Sequence, residues 1–135
     1  MTAKLKTRSV ERMFSKNFLK RAKECLDAAS GSFDKEDWNA FAINAIHCAI
    51  SAGDALCVHF LGKRHAGESH NDALKLLNSI ENMCDDIKPN ANRLMRLLKM
   101  KNIAEYEERL IYKAEAEKML SNARAFYDFA EGKII

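Results

Sequence analysis

The sequence predicts an all-α fold: an antiparallel up-down bundle of about five helices, in a single domain spanning residues 1–135. Three observations carry this. The chain has only five Gly and one Pro, so there are few turns and the elements between them are long. Ala, Leu, Glu, Lys, Met and Asn are abundant, whereas Val occurs only at Val10 and Val58, a balance that favours helix over strand. Apolar residues also recur at spacings of three and four over long stretches. A chain of 135 residues buries roughly two-thirds of its unfolded surface, so it needs no disulfide or metal to hold it.

Helix one is expected over about Ser9 to Ala29. Val10, Phe14, Phe18, Ala22, Cys25 and Ala29 form one apolar stripe, with Arg12, Lys16, Lys20 and Lys23 on another face. Gly31 reads as its left-handed cap. Helix two, about Lys35 to Leu61 with Asp34 as N-cap, is apolar on most sides, which marks it as central or as an interface. Gly62 to Gly67 is a basic loop. Ser69 with Asp72 three residues on resembles a capping box and opens helix three, about His70 to Met83. Pro89 breaks the chain, and Asn90 caps helix four, about Ala91 to Lys101. Helix five runs from about Tyr112 to Ala130, its stripe made by Tyr112, Ala116, Met119, Ala123, Phe126 and Ala130.

Cys25, Cys48, Cys57 and Cys84 include no C-x-x-C pair and read as buried free thiols in a reducing compartment. The N-terminus is basic but no apolar run follows it, so no secretory signal is expected. No stretch is read as approaching the roughly 20 apolar residues of a membrane span. The expectation is a cytoplasmic protein with no membrane partner.

Net charge is +3 but unevenly placed. Residues 1–23 carry eight Lys or Arg against one acid, and residues 24–92 carry five against eleven. The basic N-terminal segment meets an anionic partner such as nucleic acid, or is a solvated helix face or a partly frayed basic tail. Arg93, Arg96 and Lys99 form a second basic stretch, with no acid between Lys88 and Glu105. It suits phosphate contact, or equally a solvated helix C-terminus.

On helix two, Asn44, His47, Ser51 and Asp54 fall at i, i+3, i+7 and i+10, within about 80° of each other on an ideal helix. A polar line on an apolar helix calls for a ligand or partner subunit in a cleft, bonds to neighbouring helices, or simply a solvent-facing edge. His47 and Asp54 are two turns apart and form no dyad. No metal-ligand spacing of His, Cys or carboxylates occurs and no phosphate-binding glycine loop is present, so no metal and no cofactor are expected.

Several strings resemble the HEPN family: WNAFAINAIHCAISAGDALC in helix two, then GKRHAGESHNDALKLL, RLLKMKNIAEYEERL, and AEAEKMLSNARAFYDF in helix five. The resemblance covers about residues 9–130. It implies a helical bundle that commonly forms a homodimer, often with a cleft lined by helices two and four. Many members are metal-independent ribonucleases, including toxins paired with nucleotidyltransferase-type antitoxins. Others lack catalytic residues and bind nucleotides or serve as interaction modules. Catalytic members carry Arg, often followed by Asn or another polar residue, then four to six residues, then His, usually near the end of helix four. Here Lys101 stands where that Arg would be, Asn102 matches the follower, and Tyr106 stands where the His would be. Lys is a point charge where Arg would grip a phosphate bidentately, and Tyr is a poor base near neutral pH. A second string, Arg64 to His70, fits the same spacing but precedes helix three, away from the motif's place.

The resemblance and the altered motif together imply a non-catalytic or weakly catalytic homodimeric module. It would bind RNA, a nucleotide or a partner protein through Lys101, Asn102, Tyr106 and the line Asn44, His47, Ser51, Asp54, with Arg93 and Arg96. The alternatives are a metal-independent endoribonuclease of toxin–antitoxin type and a purely structural adaptor bundle.

Overall fold

A computed structural model describes residues 5–67 and 69–135; Lys4 of the basic segment and Glu68 of the loop lie outside them. Among the described residues, six α-helices carry the fold: α1 (Ser15–Asp34), α2 (Trp38–Leu61), α3 (His70–Asn78), α4 (Ile87–Leu98), α5 (Lys101–Glu105) and α6 (Lys113–Ile134). The architecture is the expected all-α bundle. α1 and α2 pack along most of their lengths, and α6 lies against α2, α4 and α1.

α2 is the central element. Ala42, Ala45, Ala49, Ala52, Gly53 and Ala55 are all buried, so neighbouring helices approach its backbone closely. The larger core residues Phe41, Ile46, Leu56, Phe126, Leu77, Ile87 and Leu97 fill the space around that spine. By length and composition α2 is enough for a membrane span, which corrects the sequence reading that no stretch comes near one. Its apolar surface goes into this chain's own core, where 72% of the relevant window is buried. At Gly53 an added Cβ would sit 3.5 Å from Leu94 Cδ2 and 3.9 Å from the Phe126 ring, ordinary contact distances. Gly53→Ala is therefore expected to raise stability by about 0.5–1 kcal/mol through helix propensity, read as a higher urea midpoint.

Several expected boundaries are corrected. α1 starts at Ser15 and runs through Gly31 to Asp34. Phe33 explains the extension: its ring packs edge-to-face on Trp38 and Phe41, at 5.1 and 5.3 Å between centroids. The left-handed residue that ends the turn is Glu36, with φ of 63°. Asp37, not Asp34, precedes α2, and its side chain makes no capping bond. α3 is shorter than expected and ends at Asn78, although Ser69 does cap it, its Oγ accepting from the Asn71 N–H at 3.2 Å.

α4 begins before Pro89 rather than after it, because a first-turn residue needs no N–H partner within the helix. Asn90 thus lies inside α4, donating to the Asp86 carbonyl at 2.9 Å and accepting from Arg93 Nη1 at 2.9 Å. The expected helix four also breaks after Leu98, so Lys101 opens a separate short helix. α6 continues past Ala130 to Ile134.

A two-stranded antiparallel ribbon was not expected. β1 (Thr7–Ser9) pairs with β2 (Lys63–His65). Gly62 makes the corner: at φ of +67° it caps α2 with its N–H on the Val58 carbonyl, while its own carbonyl accepts from Val10. What read as a continuation of helix one (Ser9) and a basic loop (63–65) are strands pinned by that glycine.

Candidate functional site

α5 carries the first two functional groups. Lys101 and Glu105 stand one turn apart, and Lys101 Nζ donates to Glu105 Oε2 at 3.0 Å. Both are partly covered, at 21% and 16% side-chain exposure, so the pair is more than a solvated surface bridge. His47 projects from α2, half exposed, with Nε2 at 3.9 Å from Glu105 Oε1. His70, the first residue of α3, lies close enough for the charges of Lys101, Glu105 and His47 to act on it. Its imidazole is held below its ordinary value first by burial and then by the Lys101 charge, with smaller effects from His65, Glu105 and His47. The hydrogen bond from Lys101 holds the Glu105 carboxyl below its usual range, aided by Tyr106 and His47. Three segments remote in sequence thus place a cation, a carboxylate and two imidazoles together, and Tyr106 beside them is 75% exposed.

Asn39 fixes this arrangement. From the first turn of α2 its Nδ2 donates to the Ala104 carbonyl at 3.0 Å, and its Oδ1 accepts from the Ile111 N–H at 2.9 Å. One side chain thereby holds α5 and the end of the following turn against α2. A second clip closes that turn: Arg109 grips Glu115 with two bonds of 2.9 and 3.0 Å and lies over the Tyr112 ring.

The polar line on α2 does not act as one site. Asn44 donates to the Ala40 carbonyl of its own helix. His47 faces Glu105, and Ser51 is half-buried. Asp54 is buried, and Arg64 Nη2 comes to 3.5 Å of its Oδ2. Burial pushes the Asp54 carboxyl up, against the lowering pull of Arg64. His65 Nδ1 and Arg64 Nε are both buried without a hydrogen-bond partner.

Of the other expected site residues, Asn102 is exposed beside the cluster. Arg93 is tied to Asn90, and Arg96 lines a separate shallow pocket between α4 and α6 with Met100 and Lys118. Neither joins the His47 group. The sequence reading passed over Glu105 and Asn39, and set His70 aside with Arg64 as a string away from the motif's place. Glu105 had a signal, four residues after Lys101 where helical ion pairs form. His70 had a weaker one, directly after a helix-capping serine. Among the described residues, no group of three or more His, Cys, Asp or Glu is arranged to hold a metal ion. The thiols are all free, and burial pushes Cys48 and Cys57 up to about 12, which leaves them inert as nucleophiles.

A pH dependence follows from His70. The unfolded chain takes up a proton near the ordinary value of 6.5, the folded chain only at lower pH. Stability is therefore full above that value, falls as pH drops through it, and levels off below the folded value. Urea midpoints measured between pH 8 and 5 should show this decline, and His70→Gln should flatten it.

The fold and the cluster define the class: a small α-helical bundle module with a mixed-charge site on one surface. The family model for the HEPN domain matches residues 15–133, and the chain belongs to that family. Comparison with curated proteins gives no match.

Proposed function

We propose that this HEPN chain is a homodimeric RNA-binding module whose cluster of His47, His70, Lys101 and Glu105 receives a backbone phosphate, with Tyr106 stacking on the neighbouring base. The observation that carries this reading is the convergence of those side chains from α2, α3 and α5. Lys101 supplies the charge, and Glu105 holds it in place. A phenol ring 75% exposed beside a cation is suited to a splayed single-stranded base. The same 106–112 segment also leaves Leu110 and Tyr112 exposed, apolar surface that supports pairing with a second copy.

One observation favours a second reading, a metal-independent endoribonuclease. Burial and then the Lys101 charge hold the His70 imidazole below its ordinary value, and a neutral imidazole near a cation suits removal of a 2′-hydroxyl proton. Under that reading a nucleotidyltransferase-type antitoxin is the expected partner. Either reading is consistent with a cytoplasmic protein.

The test is incubation of total RNA, without added metal, with the wild type and with Lys101→Ala/Tyr106→Phe. Retention of RNA at low salt without cleavage, weakened tenfold or more in the variant, is the expected result. Cleavage that vanishes in the variant would make the chain an enzyme at this site. Neither binding nor cleavage would leave an adaptor bundle.

A further inference from the structure

The register of the β1–β2 ribbon sets Arg8 directly opposite Arg64. Opposed residues of an antiparallel pair project to the same face with Cβ atoms about 4.5–5.5 Å apart, where like charges destabilise the ribbon. Both arginines line an open cleft of about 590 Å³ between the ribbon and the first turns of α1. Arg21 is the third cation of that lining. Its guanidinium lies 5.2 Å from the centre of the Phe18 ring, and that of Arg64 lies 5.3 Å from the same ring. Phe14, 41% exposed, and Asn17 complete the wall, and Glu11 is its one acid. Arg64 has Asp54 at 3.5 Å, but among the described residues neither Arg8 nor Arg21 has a carboxylate partner.

We infer that this cleft is a site for a phosphomonoester, the terminal phosphate of a nucleotide unit. Guanidinium forks match phosphate oxygens, and a dianion among three of them removes the repulsion that the register imposes on the empty ribbon. Phe14, 41% exposed at the rim, supplies a ring on which the attached base would stack. The volume lies within the range of small-molecule sites, roughly 300–1,000 Å³. β1 precedes the span matched by the HEPN domain, so the site joins the family's bundle to a segment outside that span. It uses none of His47, His70, Lys101 or Glu105, and does not rest on the function proposed above.

The full chain is titrated calorimetrically at low salt with uridine 5′-monophosphate, uridine, and tetrauridylate with and without a 5′-phosphate. Thermal melting is recorded alongside. The variants are Arg8→Gln and Arg21→Gln, both at exposed side chains. The 5′-phosphorylated probes should bind and raise the melting temperature, while uridine stays silent. Each variant should weaken that binding tenfold or more. Free Arg8→Gln should melt no lower than the wild type, because it loses a repulsion and no core contact. Equal binding of the monophosphate and the phosphorylated oligomer identifies a free nucleotide as the source; binding of the oligomer alone identifies an RNA end. No binding by any phosphorylated probe, undiminished binding by both variants, or equal binding of the unphosphorylated oligomer overturns the proposal.

Discussion

Phe126→Ala should lower the unfolding free energy by about 3–5 kcal/mol, the largest single-residue effect expected in this chain. Phe126 is fully buried, and its ring faces Gly53 across the seam between α2 and α6. That seam is lined on the α2 side by glycine and alanines, whose short side chains cannot swing into the vacated space. The cavity therefore stays open, and the transfer and cavity penalties add. Urea unfolding should show a lower midpoint at an unchanged slope. A loss below about 1 kcal/mol would mean that the seam repacks and that α2 is not the rigid centre described above.

Asn39→Ala should be the second largest change, and it separates stability from function. Both groups that Asn39 serves are on buried residues, Ala104 and Ile111. Stranding a buried backbone carbonyl and an N–H costs about 1–3 kcal/mol each. The greater consequence is local. Without that side chain, the segment carrying Glu105 and Tyr106 loses its tie to α2. RNA retention should fall about tenfold or more, beyond what a core variant of equal stability loses. Asn39→Asp keeps the acceptor for the Ile111 N–H but loses the donor to Ala104, and should fall between. Full RNA retention in a destabilised Asn39→Ala would mean that the tie supports the fold and does not position the site.

The helices and core were legible because apolar periodicity over 20 or so residues is a strong signal, and α1 and α6 have it, while α2 shows as a long stretch apolar on most sides. The ends were not, because breakers were read without their positions. Gly31 was expected to stop α1, yet Phe33 has rings to pack against beyond it. Pro89 was expected to precede a helix and instead sits in its first turn, where its missing N–H costs nothing. Three-residue strands carry no period at all, so the ribbon was invisible. Lys101 and Tyr106 were found from the family pattern. His70 joins them only through the packing of α3, 31 residues away in sequence number. Asn39 bonds to backbone 65 and 72 residues distant, and no local pattern encodes that.

The central claim, that RNA is received at the cluster joining α2, α3 and α5, is tested most directly by histidine NMR. The imidazole resonances are followed as a short single-stranded oligoribonucleotide is added at low salt. His47 and His70 should shift together and saturate together, while His59, packed against Phe60, stays still. Binding that leaves His47 and His70 unmoved would contradict the account and place the RNA elsewhere on the bundle.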